Sequence, residues 1–394
     1  MGRSAIAGLK IMLVAAETSG DALGAGLARA LKARLGPRLT LVGVGGARMA
    51  EEGVNSPFDI TELSILGWVE GLMAYGRVKR RVKEAAALAR AERPDAVVLI
   101  DSWGFTIRVA KAIRAEAPDI PLIKYVGPQV WASRPGRART LAGAVDHLLA
   151  LHAMDRPWFE AAGLPTTVVG SQALHLDFSD VDAAAFRRAH GLGADQGLLI
   201  VLPGSRPSEI SRLMDVFGAT VGRLKAERPD LAVVMPVAES VAEAVAEGLK
   251  SWPVQPILIR DEADKMAAMK AATAALACSG TVSIELALAG TPMVIAYRLG
   301  GLSYALMKRL VTARYITLFN IAADRMIAPE LIQNEATAGK LAAAVGRLLD
   351  DPAAAQAQAE AQVQALDLMG RGGPDPSEAA AEAVLKVLEA RRAA

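Results

Sequence analysis

Several short segments of this chain pair chemically useful residue types with the place just after an apolar run. Asp101 ends Val98-Leu99-Ile100 and precedes Ser102, so one carboxylate stands at a strand's carboxyl end, where open α/β sheets meet their ligands. A carboxylate there suits a general base that takes the proton of an attacking hydroxyl. The competing use of Asp101 is to cap a helix that begins near Gly104.

Leu202-Pro203-Gly204-Ser205-Arg206-Pro207-Ser208-Glu209-Ile210 also leaves a strand and opens a helix. Gly204 permits a tight turn, Ser205 brings a hydroxyl, and Arg206 carries a planar fork of donors matched to a diphosphate. The alternative is a capped turn with a surface arginine. Ala277-Cys278-Ser279-Gly280-Thr281-Val282-Ser283-Ile284-Glu285 repeats the arrangement. Its turn amides suit phosphate oxygens, and Glu285 either accepts from both hydroxyls of a ribose or only offsets the helix dipole. A fourth turn, Glu17-Thr18-Ser19-Gly20-Asp21, follows the first strand. Its small residues allow an anion near the helix start, and Ser19 or Asp21 can equally serve as a cap. The G-x-G-x-x-G spacing is absent, which disfavours NAD.

These turns need strands to carry them. Short β-branched runs predict strands at Ile11–Ala15, Thr40–Gly43, Ala96–Asp101, Leu122–Val126, His147–Leu151 and Thr167–Gly170. A second series runs through Leu198–Leu202, Leu231–Pro236, Ile257–Ile259, Ala274–Cys278 and Pro292–Ala296, with helical stretches between. Apolar strands alternating with helices are the form of a parallel sheet covered on both faces. The expectation is an α/β chain of two Rossmann-like domains facing a cleft: residues 1–174, residues 175–350, and helices over 351–394 that can pack back on the first domain. A short helix, Val181–His190, falls in the polar boundary segment.

The totals narrow the function. At 394 residues with 44 Lys and Arg against 42 Asp and Glu, the net charge of +2 makes no case for nucleic acid. One cysteine, Cys278, and four scattered histidines offer no disulfide and no zinc spacing. The start of the chain is too short in its apolar part for a signal peptide, so the protein is expected in the cytoplasm.

Taken together in order and spacing, the motifs resemble the lipid-A-disaccharide synthase family from about Ile11 to beyond Gln333. The carriers are the four turns above, Tyr125-Val126-Gly127-Pro128-Gln129-Val130-Trp131-Ala132, Ala296-Tyr297-Arg298, and Asn320 with Pro329-Glu330-Leu331-Ile332-Gln333. The resemblance implies a GT-B-type, inverting glycosyltransferase that needs no metal or cofactor. It would join UDP-2,3-diacylglucosamine to 2,3-diacylglucosamine 1-phosphate as a β-1,6 disaccharide phosphate and release UDP. It puts Asp101 forward as the base and Glu17, Ser19, Gly20, Asp21 and Trp131 on the acceptor side. Gly204, Ser205, Arg206, Ser279, Gly280, Thr281, Glu285, Asn320 and Gln333 fall on the UDP-sugar side. The chain departs from the family's usual residues at Ala16, at Trp103-Gly104-Phe105-Thr106 (usually Pro-Asp-Phe-Asn), at Ser133 and at Phe319, which leaves the choice of acceptor open.

Acylated substrates imply work at the inner face of the inner membrane. Two segments fit a peripheral anchor: Ile65–Tyr75, followed by Arg77, Lys79, Arg80, Arg81 and Lys83, and Leu302–Tyr315. Each also reads as a core-facing helix with a solvated basic side. A UDP-sugar epimerase on the same scaffold and a non-catalytic sugar-nucleotide-binding protein are the competing functions.

Overall fold

The computed structural model describes residues 8–63, 68–300, 311 and 313–393, with residues 68–75 described by their backbone only. The chain divides into two compact units, Met1–Ser171 with Gly373–Ala394, and Gln172–Gly372.

The first unit holds strands β1 (Leu9–Val14), β2 (Leu39–Val44), β3 (Ala96–Ile100), β4 (Leu122–Tyr125), β5 (His147–Ala150) and β6 (Thr166–Val168). They form one parallel sheet in the order β2-β1-β3-β4-β5-β6. Alternate residues feed two cores. Met12, Val14, Val97 and Leu99 enter one face, and Ile11, Leu13, Val98 and Ile100 the other, as the two-residue period of a strand requires. Helices α1 (Thr18–Leu35), α2 (Ala47–Glu51), α3 (Trp68–Glu92), α4 (Trp103–Glu116), α5 (Arg137–Ala142) and α6 (Arg156–Glu160) connect the strands.

The second unit repeats the plan with β7 (Leu198–Leu202), β8 (Ala232–Pro236), β9 (Ile257–Ile259), β10 (Ala274–Cys278), β11 (Met293–Tyr297) and β12 (Glu330–Ile332). Its parallel order is β12-β11-β10-β7-β8-β9. Its helices are α7 (Ala183–Ala189), α8 (Pro207–Glu227), α9 (Ala242–Leu249), α10 (Glu262–Ala271), α11 (Val282–Leu288), α12 (Leu318–Ala322), α13 (Ala338–Asp350) and α14 (Pro352–Leu368). The edge strand β12 has no counterpart in the sequence reading, because three half-buried residues make no apolar run.

The last two helices part company. The amides of Gln358 and Gln362 on α14 bond the backbone of Met293 and Thr291, which ties that helix to the second unit. The final helix, α15 (Pro376–Ala393), packs on α1 instead. Ala380, Ala381, Val384 and Leu388 join the core cluster of Leu27 and Leu31, and Arg34 Nε meets Glu378 Oε2 at 2.9 Å. Gly26 permits this approach, since a Cβ there would lie 2.5 Å from Ser377 Oγ. Among the described residues no helix is long and apolar enough to cross a membrane.

Candidate functional site

In each sheet the strand order reverses at one place, and ligands of such sheets bind beside that reversal. In the first unit the reversal lies between β1 and β3, and the turns that leave those two strands meet there. Ser19, exposed on the first turn of α1, donates from Oγ to Asp101 Oδ2 at 2.9 Å. Gly20 lies directly against the end of β3: a Cβ would stand 3.4 Å from the carbonyl oxygen of Ile100 and 3.6 Å from Asp101 Cβ. Asp101 and Ser102 are both left-handed, with φ of 49° and 37°, which is costly for residues with a Cβ. Ser102 stands at the cap of α4 without a side-chain capping bond, and the Asp101 carboxylate goes to Ser19. Among the described residues no side-chain oxygen of Asp101 accepts from an amide of α4, so Asp101 does not act as that helix's cap.

Beneath this turn lies Lys124 on β4, 2% exposed. Its Nζ donates to the carbonyl oxygen of Asp101 and, at 2.8 Å, to Thr106 Oγ1. Burial pushes this lysine down to about 7, although the carboxylates of Asp101 and Glu17 pull the other way. The sequence reading passed over Lys124, because a lone lysine inside a short apolar run gives no signal of its own.

Two residues expected on the acceptor side serve the fold. Asp21 is buried, and its carboxylate accepts from the amides of Gly46, Arg48 and Met49 at 2.7, 3.0 and 3.1 Å. It thereby caps α2 and ties α1 to the turn after β2. Trp131 is 8% exposed, and its indole Nε1 donates to Asp155 Oδ1 at 2.8 Å. Burial pushes Asp155 up to about 6 and the neighbouring buried His152 down to about 4. Glu17 remains exposed at the start of α1. Of the departures from the family's usual residues, Trp103 lies beneath the Arg137 guanidinium, 5.3 Å from it, and Phe319 is fully buried.

In the second unit the reversal lies between β7 and β10, the strands that release the Gly204 and Gly280 turns. Gly204 has φ 127°, and a Cβ there would lie 2.5 Å from Glu209 Oε2. The buried Glu209 fills the inside of the turn. Its Oε2 accepts from the amides of Ser205 and Arg206 at 3.1 and 3.3 Å, and its Oε1 pairs with Arg206 Nη1 at 2.9 Å. Arg206 itself stays 75% exposed on its side chain, so its guanidinium is presented to solvent and held from behind.

Across the reversal, Gly280 and Thr281 are exposed and Ser279 is half-buried. A Cβ on Gly280 would meet nothing within 4 Å; the chain's own packing does not call for a glycine there. Glu285 Oε2 pairs with Lys265 Nζ at 2.8 Å, and Lys265 also meets Glu262 at 2.9 Å. Burial opposes charge on Lys265, but the two carboxylates outweigh it and hold the ammonium above its usual value.

Asn320 differs from expectation. It is fully buried, its Nδ2 donates to Ala328 O and Glu330 Oε1, and its Oδ1 accepts from the amides of Ile327 and Ala328. With its amide saturated inside the chain, Asn320 shapes the loop before β12 rather than facing a ligand. Gln333, left-handed at φ 54°, accepts from the amide of Leu299 at 3.2 Å and so bridges the ends of β11 and β12.

Of the two anchor segments, Ile65–Tyr75 and most of Leu302–Tyr315 lie outside the residues whose side chains are described. In the basic run that follows the first, Arg81 is committed to the protein through Glu62, Glu84 and the Phe58 ring, while Arg77, Lys79, Arg80 and Lys83 are exposed.

Residues 11–384 match the family described as lipid-A-disaccharide synthetase. The lipid-A-disaccharide synthase of Rhodospirillum centenum is 46% identical over 97% of this chain and 96% of its own length. Among solved structures, the S. aureus MnaA–UDP co-structure superposes with a TM-score of 0.65 at 17% identity, over 97% of both chains. UDP-GlcNAc 2-epimerase from Neisseria meningitidis bound to UDP-GlcNAc gives 0.61 at 12% identity, over 97% of this chain and all of its own.

Proposed function

This chain belongs to the lipid-A-disaccharide synthetase family, and we propose that it joins UDP-2,3-diacylglucosamine to 2,3-diacylglucosamine 1-phosphate, releasing UDP. It is a glycosyltransferase that uses a UDP-sugar. The epimerase reading is not favoured, since likeness at 12% identity carries the fold alone.

The observation that supports the division of labour best is the Ser19–Asp101 pair at the reversal of the first sheet. In the proposed reaction Asp101 takes the proton of the acceptor's 6-hydroxyl as that oxygen attacks the anomeric carbon of the donor. The bond from that carbon to the UDP oxygen breaks with inversion, and the electron pair leaves on the diphosphate. Charge grows on the leaving group, so donors set in advance stabilise the transition state most. Arg206 and the Gly280–Thr281 turn are the groups assigned to that task. Glu285 is assigned to the ribose, and its link to Lys265 limits how far it can swing. Because both lipids reside in a bilayer, the enzyme works at the cytoplasmic surface of the inner membrane, with the exposed basic run after residue 76 suited to anionic headgroups.

The test is UDP release in detergent micelles from donor alone and from donor with acceptor, for wild type, Asp101→Asn and Arg206→Ala. Release should require both lipids. D101N should lose about a thousandfold in kcat with UDP affinity kept, in line with removal of a general base, and R206A should lose both. An active D101N would refute the base assignment, and acceptor-independent turnover would refute the transferase reading.

A further inference from the structure

Lys124 is a buried cation that no ion pair among the described residues neutralises. Its ammonium spends its donors on a backbone carbonyl and a neutral hydroxyl, although burying a charge this way is expensive. An unbranched apolar side chain would fill the same space at lower cost, so stability alone does not account for a lysine here. Its contacts converge on one feature. The carbonyl that Nζ holds belongs to Asp101, and the hydroxyl it holds, Thr106 Oγ1, in turn lies 2.8 Å from that same carbonyl and 3.0 Å from that of Ser102. Both of those residues are left-handed, and their turn is what delivers the Asp101 carboxylate to Ser19.

We propose that Lys124, acting through Thr106 and the carbonyl oxygen of Asp101, is the positioning residue that holds the strained Asp101–Ser102 turn and thereby the orientation of the general base. The inference rests on the reading of Asp101 as that base. Drawing the Asp101 carbonyl inward fixes its neighbouring Cα–Cβ bond, so the carboxylate is presented in one direction instead of sampling several, and orientation of a reacting group is worth orders of magnitude in rate. The charged groups that face Nζ are Asp101 from the end of β3 and Glu17 from the turn after β1; α4 offers the neutral Thr106, and β5 offers Leu148 at the same register. Because burial brings the amine to about 7, the clamp is fully charged in mild acid and weakens as the pH rises.

The experiment compares Lys124→Met, Thr106→Val and Asp101→Asn in the full chain, by steady-state UDP release in micelles, UDP affinity and melting temperature. K124M keeps the length of the side chain and removes only the ammonium. Its kcat should fall about tenfold or more, with donor KM and UDP affinity within about twofold, an unchanged or raised melting temperature, and loss of the alkaline decline near pH 7 that wild type should show. A fall in activity without a fall in stability is the signature a structural lysine would not give. T106V should show a smaller fall of the same kind. Wild-type kcat in K124M overturns the proposal, as does a K124M that loses activity only in step with its melting temperature while T106V keeps wild-type kcat. If D101N is inactive and K124M fully active, only this inference fails; an active D101N removes the reading beneath it.

Discussion

Gly204→Ala tests whether the turn after β7 is built as described. The glycine has φ 127°, and its replacement would set a Cβ 2.5 Å from Glu209 Oε2 and 2.6 Å from Glu209 Cβ. The carboxylate can swing away, but Cβ of Glu209 is fixed to the first turn of α8, so the turn itself must move. The backbone strain is worth ~1–3 kcal/mol. Driving Glu209 from the amides of Ser205 and Arg206 forfeits charge-assisted hydrogen bonds worth ~1.5–3 kcal/mol each when buried, less here because both residues are exposed. A total of about 3 kcal/mol follows, divided between stability of the second unit and affinity for UDP. If half falls on the ligand, UDP binds about tenfold more weakly. Calorimetric titration with UDP, paired with a thermal scan, measures both parts. Gly280→Ala is the control, because its Cβ meets no protein atom within 4 Å: its stability should match wild type, and any loss of affinity then reports space taken from the ligand. A G204A protein with wild-type melting and UDP affinity within twofold would refute the account of this turn.

Three further outcomes are expected. Burial raises Asp155 to about 6 from 3.8, so its contribution to stability is present in acid and lost between about pH 4 and 6, whereas His152, lowered from 6.5 to about 4, contributes above pH 6.5 and loses that as the pH falls. The two slopes oppose each other. Denaturant titrations between pH 4 and 6.5 should therefore tilt in opposite directions in His152→Gln, less stable as pH rises, and Asp155→Asn, less stable as pH falls, by roughly 3 kcal/mol each; parallel slopes would contradict the assignment. Asn320→Ala leaves the amides of Ile327 and Ala328 without their partner and takes from Glu330 Oε1 one of its two donors, the amide of Thr317 remaining. It should cost about 3 kcal/mol by chemical denaturation, and a cost below about 1 kcal/mol would show that the loop before β12 is held by other means. Lys265→Met releases Glu285 and should weaken UDP several-fold while leaving inorganic pyrophosphate unaffected; an equal effect on both would place Glu285 away from the ribose.

Much of this was legible in the sequence. Strands such as β3, whose five residues are all buried, announce themselves as apolar runs, and a glycine or acid just beyond such a run marks the sheet's functional end. The motif turns accordingly fall at the two reversals in strand order. The sequence does not tell which polar residue in a motif faces outward. Asp21 and Ser19 are two residues apart and both of capping type, yet one is buried under three amides and the other meets Asp101. Asn320 looks like a ligand residue until its four hydrogen bonds to Ile327, Ala328 and Glu330 are seen, all local in the chain but joined by a fold that no periodicity encodes. Lys124 was invisible for the opposite reason, as its partners lie 18 and 23 residues away and its own neighbours read as strand.

The return of α15 to the first unit sets an order in time. The second unit, Gln172–Gly372, is continuous, whereas the first is opened by it and closed only by the last residues of the chain. A nascent chain thus has every strand of its first sheet early but must leave the face of α1 that receives Ala380, Val384 and Leu388 uncovered. At ~5–20 residues per second, the ~200 residues of the second unit delay the covering helix by some ten to forty seconds. Through that interval the first unit depends on whatever shields an exposed apolar stripe in the cell. A chain cut short after the second unit lacks the helix that covers this face of α1.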